Sequence, residues 1–149
     1  MALVRPLVES DFDSWLPLWS GYLEFYEVQI SDEVTRHTFN RLVDENSVMF
    51  GALAVSQTGE PIGLVHWLLH PGTWSVNDTC YLEDLFVAHD SRGSGVGRAL
   101  IQHVREWAQA ESLAKVYWLT ADSNQSAQRL YDRVATKTGF IQYQIPLGN

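Results

Sequence analysis

With 149 residues, 46% of them apolar, the chain can bury one core and is too short for two, which predicts a single domain over residues 1–149. A net charge of −8 argues against nucleic acid, whose binding rests on clustered Lys and Arg, and favours a cationic small molecule over an anionic polymer. No apolar run approaches the roughly 20 residues of a membrane-spanning helix, the start has no signal-peptide pattern, and the lone Cys80 allows no internal disulfide, so a cytoplasmic protein without a membrane partner is expected.

In chain order, residues 2–7 form a short apolar stretch ending near a proline, suited to an edge strand. Ser10 is the candidate N-cap of a helix over residues 11–26, in which Phe12, Trp15, Leu16, Trp19, Leu23 and Tyr26 recur at helical spacing. A second polar start at Ser31 opens a helix to about Leu42, with Phe39, Leu42 and Val43 inward. Residues 48–56 and 62–70 read as strands joined by the turn-forming Gln57-Thr58-Gly59-Glu60-Pro61. Residues 80–88 are a further strand, 95–110 a helix with Val96, Leu100, Val104 and Trp107 inward, and 115–120 a strand. A helix over 124–134 carries the stripe Ala127, Leu130, Tyr131 and Val134, and residues 140–145 supply one last strand.

Between strand and helix lies Ser91-Arg92-Gly93-Ser94-Gly95-Val96-Gly97-Arg98. A glycine-rich turn opening a helix presents backbone N–H groups that lack intrahelical acceptors, and the helix dipole adds positive potential there, so the segment suits a pyrophosphate. Arg92 and Arg98 supply charge beside it. It is not a dinucleotide fingerprint, since Arg98 stands where glycine or alanine belongs, nor a nucleoside-triphosphate loop, since no Gly-Lys-Ser/Thr triplet is present.

Arg92-x-x-Gly95-x-Gly97 resembles the Gln/Arg-x-x-Gly-x-Gly/Ala signature of the GNAT superfamily of acetyl-CoA-dependent N-acetyltransferases. Tyr81-Leu82-Glu83-Asp84-Leu85-Phe86-Val87 resembles the preceding strand in that superfamily, most of all in the spermidine/spermine-like acetyltransferases of small amines. Trp118-x-Thr120-x-x-x-Asn124-x-x-Ala127-x-x-Leu130-Tyr131 and Gly139-Phe140 resemble the second half of its core. The resemblance implies an α/β fold with a mixed, mostly antiparallel sheet flanked by about four helices. It implies acetyl-CoA as co-substrate, held by Arg92, Gly93, Ser94, Gly95, Val96, Gly97 and Arg98, by the backbone of Leu85 and Val87, and by Asn124 near its arm. Glu83 would then be the base and Tyr131 the proton donor to the leaving thiolate. That superfamily commonly ends in two strands, and only one fits after residue 139, so an open sheet edge and a homodimer through the C-terminal strand are expected.

An alkylamine with a pKa near ~10.4 is protonated at neutral pH, so acetyl transfer needs a base as well as a polarised carbonyl. Simple strand alternation puts Tyr81, Glu83, Leu85 and Val87 on one face and Leu82, Asp84 and Phe86 on the other, which separates Glu83 from Asp84 and leaves Asp84 structural or substrate-attracting. Tyr22, Tyr26, Glu27 and Asp84 are candidates to receive an alkylammonium through cation–π and charge attraction. Each has a plainer reading: the aromatics pack a helix pair, the carboxylates solvate its outside, and Tyr131 lies on its helix's apolar stripe. His66 and His70 are four apart on a strand rather than a helix, so no metal is expected. The favoured activity is acetylation of a small primary amine such as a polyamine, diamine or amino acid. A protein-lysine or N-terminal acetyltransferase, or a non-catalytic acyl-CoA sensor on the same fold, stays open.

Overall fold

The computed structural model describes residues 2–148, which form two compact units dividing after Leu119. In the first, β1 (Leu3–Pro6), α1 (Phe12–Phe25), α2 (Asp32–Val43), β2 (Met49–Val55), β3 (Pro61–His70), β4 (Thr79–Val87), α3 (Val96–Ala110) and β5 (Val116–Tyr117) follow one another. The five strands lie in the order β1-β2-β3-β4-β5; all neighbours are antiparallel except β4 and β5, which are parallel. The second unit holds α4 (Gln125–Val134), whose half-buried Ala127, Leu130, Tyr131 and Val134 keep the predicted stripe.

Each face of the sheet is covered. On one, Trp15, Leu18 and Trp19 of α1 and Phe39 and Leu42 of α2 close over Leu53 and Leu64. On the other, α3 presents Val96, Leu100 and Val104, and Trp107 packs against Phe50 and Trp67 at ring distances of 4.6 and 5.5 Å. Burying these side chains supplies most of the stability, at ~1.5–3 kcal/mol for each large one.

Three local expectations change. Ser10 does not cap α1; instead Asp11 accepts from the Val8 N–H at 2.9 Å and from both ends of the Arg5 guanidinium at 2.8 and 2.9 Å, tying β1 to the start of α1. Ser31, by contrast, caps α2 as predicted, its Oγ accepting from the Val34 N–H. Residues 140–145 are not a strand: among the described residues they have no ladder partner, and an extended segment without one forms no sheet. The third change is in β4. Its register runs His66↔Asp84 and then Trp67↔Leu82, so Glu83 is the extra residue of a β-bulge.

The Arg5 hydrogen bonds, with burial opposing them, hold the Asp11 carboxyl below the usual carboxylate range. A depressed acid contributes stability above its unfolded pKa, near ~3.9, and loses it as pH falls through the folded value. Asp11→Asn should therefore cost about 1–2 kcal/mol at pH 7, kept modest because Arg5 is partly solvated, and the gap from the parent should narrow as pH falls below about 4. Urea unfolding of both proteins at pH 7 and pH 3.5 measures this; a gap unchanged with pH would contradict it.

Candidate active site

The bulge decides which side chains meet. Cross-strand partners share a face, so Tyr81, opposite Leu68, and Asp84, opposite His66, both point toward α1, as does Phe86 opposite Leu64. Leu82, Leu85 and Val87 point toward α3 instead. The simple alternation that separated Glu83 from Asp84 is thus overturned, because one inserted residue shifts every later side chain to the other face.

On the α1 side, Asp84 Oδ2 lies 2.9 Å from His66 Nδ1, and His66 Nε2 lies 2.9 Å from the Trp15 indole nitrogen. The Tyr22 phenol lies beside Asp84; burial first, then the Asp84 charge, pushes it above its ordinary value. Tyr22 stacks on Trp19 at 5.4 Å, contacts Tyr26 at 5.0 Å, and meets Phe86 edge-on at 6.4 Å. The Phe86 ring reaches α1 because position 21 is glycine: a Cβ there would lie 2.9 Å from Phe86 Cζ. Tyr26 is also raised, by burial and by the Asp84 charge.

Glu83 is exposed as a residue, yet enough protein surrounds its carboxyl that burial, followed by repulsion from Asp84, pushes it above the usual carboxylate range, against downward pulls from His66 in its charged form and from Arg41. A raised carboxylate is the direction a base working near neutrality requires. Further along the same face Tyr81 stacks on Tyr117 at 4.9 Å, and the Tyr117 hydroxyl donates to His70 Nε2 at 2.8 Å while His70 Nδ1 donates to the Pro71 carbonyl. Glu27 sits apart from this group, exposed just beyond α1 with φ of 55°.

Sequence reasoning missed Trp15, His66, His70 and Tyr117. Trp15 reads as core, and the two histidines matter only once the strand pairing brings them to Asp84 and Tyr117. Cys80, wholly buried and with its thiol pushed up to about 12 by desolvation, is unsuited to act as a nucleophile.

The other half of the site is backbone. β5 pairs with β4 only at Cys80 and Tyr81, so beyond Tyr81 the outer edge of β4 has no partner strand among the described residues of this unit. The Ala88 N–H turns inward to the Ile62 carbonyl at 2.8 Å; by alternation the N–H and C=O of Leu85 and Val87 face that open edge. The Arg92 Nε donates to the Val87 carbonyl at 3.1 Å, with its guanidinium 5.6 Å from the Phe25 and Phe86 rings.

After β4 the chain turns through Gly93 and Gly95, at φ of 80° and 85°, values at which an L side chain is strained. The first amide of α3 with a carbonyl acceptor is Ala99, bonded to Gly95 at 3.0 Å, so the preceding amides of Gly97 and Arg98 are free of intrahelical partners. Ser94 and Arg98 are exposed on this turn and Val96 is buried beneath it. An open strand edge that leads into a cradle of amides suits a ligand with an amide-bearing arm and a pyrophosphate. In the second unit Asn124 accepts from the Ala127 N–H at 3.3 Å and so caps α4, and Tyr131 is half-buried on that helix.

The chain matches the model of the Acetyltransferase (GNAT) family over residues 14–135. It is 37% identical over 143 residues to a D-amino-acid N-acetyltransferase of Saccharomyces cerevisiae, a match spanning 95% of this chain and 89% of that one. It is 30% identical over 90 residues to a thialysine N-epsilon-acetyltransferase of Caenorhabditis elegans, spanning 60% and 55% of the two chains. The fold superposes on the solved AAC(6')-Iy in complex with a bisubstrate analogue, CoA-S-monomethyl-acetylneamine, with a TM-score of 0.86 at 15% identity and 99% coverage of both chains. An open-edged strand, a bulged acidic pair and an amide cradle thus occur in a chain that, by its match over most of its length and its yeast relative, belongs to the acetyltransferase (GNAT) family.

Proposed function

We propose that the protein transfers the acetyl group of acetyl-CoA directly to a primary amine of a small molecule. The observation that carries this is the bulged pair Glu83 and Asp84, set against Tyr22, Tyr26 and Phe86 beside the open edge of β4. Two carboxylates with an aromatic rim attract an alkylammonium, and the relatives named for a D-amino acid and for thialysine are acetyltransferases of small amines. An amino acid or a diamine therefore fits better than the polyamine favoured by the strand motif alone.

In this reading Glu83 takes a proton from the bound ammonium, directly or through one water. The freed nitrogen lone pair attacks the thioester carbonyl, polarised by an N–H of the open edge near Leu85 and Val87. The carbon–sulfur bond then breaks and the thiolate is protonated, giving an amide and CoA; the family resemblance of the segment from Trp118 to Tyr131 assigns that proton to the Tyr131 hydroxyl. The cradle from Arg92 to Arg98 holds the pyrophosphate of acetyl-CoA, and the family resemblance assigns Asn124 to its arm.

The tail offers a second-copy interface. Phe140, Ile141, Tyr143, Ile145 and Leu147 are all more than three-quarters exposed, an arrangement that supports a homodimer in which this segment pairs with another chain.

The test is acceptor-dependent CoA release over a panel of amino acids of both hands, diamines, polyamines and lysine peptides. The reading predicts kcat/KM at least tenfold higher for one class of small amine than for any peptide, and about a 10–100-fold lower kcat in Tyr131→Phe, which loses only a hydroxyl. Preference for peptides would overturn the substrate class, and an unchanged Tyr131→Phe would return that residue to packing.

A further inference from the structure

We propose that Trp15 and His66 form a one-way hydrogen-bond relay that holds Asp84 as an uncompensated anion, so that Asp84 is the seat of the acceptor's ammonium group and Trp15 and His66 are its positioning residues. The proposal rests on the amine-acetyltransferase reading and assigns its acceptor contact.

The direction of the relay follows from one chemical fact: an indole nitrogen donates a hydrogen bond and cannot accept one. Trp15 Nε1 is 2.9 Å from His66 Nε2, so Nε2 must offer its lone pair. The ring proton of His66 is then on Nδ1, 2.9 Å from Asp84 Oδ2, which accepts it. Trp15 and His66 are 0% and 2% exposed, so water cannot replace either partner. Adding a second proton to His66 would set an N–H against the Trp15 N–H in a dry core, at the cost of an unpaired buried donor.

A neutral imidazole orients a carboxylate without cancelling its charge. The titratable and charged groups that bear on the pair are Glu83 and Tyr81 on β4, Tyr22 of α1 with Tyr26 just after it, and Arg41 of α2, while the Trp15 and Trp19 rings lie against His66 and Gly51 of β2 stands opposite it. A positive His66 would pull Glu83 down, but the Trp15 contact keeps that ring neutral; Arg41 is the remaining cation among these groups, and it acts on Glu83. Asp84 accepts from His66, lies beside the Tyr22 phenol and keeps lone pairs for a further donor; an ammonium, with three N–H groups, supplies both that donor and the missing charge. The neighbouring Glu83 is left to take the proton.

Trp15→Phe removes the indole N–H while keeping an aromatic ring. His66 is then free to bind a second proton, pair with Asp84 as an imidazolium, and displace the acceptor. Two readouts separate the relay from the function. Nitrogen-15 NMR of the histidine rings, without substrate, should show His66 as the neutral Nδ1–H tautomer from pH 8 to pH 5.5 in the parent and titrating to imidazolium in Trp15→Phe. With acetyl-CoA saturating and the best amine of the panel, the acceptor KM should rise about tenfold between pH 8 and pH 5.5 in Trp15→Phe and less than threefold in the parent. A parent His66 that titrates, or carries its proton on Nε2, overturns the relay whatever the enzyme acetylates. A relay seen by NMR with identical pH dependence of KM in both proteins overturns Asp84 as the ammonium seat. If Trp15→Phe does not fold, the parent spectrum still decides the relay, and Asp84→Asn, expected to raise acceptor KM at least tenfold at pH 8 with acetyl-CoA KM within about twofold, decides the seat.

Discussion

Replacing Glu83 by Gln is expected to lower turnover by about 10²–10⁴-fold at pH 7, the usual contribution of a positioned base, with KM for acetyl-CoA within about twofold. The sign of the pH dependence follows from its carboxyl, which burial and Asp84 hold above the ordinary carboxylate value. Below that raised value the base is protonated and idle, so the parent should gain activity as pH rises through it and then level off. The variant lacks this limb. Its rate depends on amine that is already neutral and should climb about tenfold per pH unit toward the amine's own pKa near ~10.4. Steady-state rates from pH 5 to pH 10 measure both effects. A variant with the parent's turnover and plateau would remove Glu83 from the chemistry.

Phe39→Ala is expected to destabilise the protein by about 3–5 kcal/mol, a large share of the 5–15 kcal/mol typical of a domain. Phe39 is only 2% exposed, its ring edge-on to Phe12 at 5.2 Å and tilted against Trp15 at 5.0 Å. Truncation leaves a void under α2 at the place where Trp15 is held against His66. Thermal unfolding should shift down by about 10 °C or more, while Phe39→Leu, which keeps most of the volume, should cost roughly half or less. A shift under about 3 °C for the alanine variant would show that α2 contributes little to the core. Because Phe39 supports Trp15, the acceptor KM should suffer before acetyl-CoA binding does.

The elements were legible because their periodicities are unambiguous. The stripe of Val96, Leu100 and Val104 and the apolar runs at 49–55 and 61–70 have one good interpretation each, and the glycine turn between β4 and α3 announces itself by composition. What stayed hidden depends on contacts distant in sequence. Nothing in Tyr-Leu-Glu-Asp-Leu-Phe-Val marks Glu83 as a bulge, since the insertion exists only relative to the β3 register, and that one residue moves Asp84 to the α1 side of the sheet. His66 looks like any buried strand histidine until α1, 51 residues earlier, supplies Trp15. Ser10 and Asp11 are equally good caps by type, and the choice is made by Arg5, which engages Asp11 across the β1–α1 connection. The terminal segment has strand composition without a strand, because pairing requires a partner that composition cannot provide.

The most direct test of the account is the mass of the product formed when the purified protein is incubated with acetyl-CoA and single small amines, beside an Asp84→Asn control. The expected product carries one acetyl group on the primary amine, CoA is released in equal amount, and the control loses most of its product at low amine concentration. Release of CoA without an acetylated amine, or acetylated product at equal yield from the control, would contradict it.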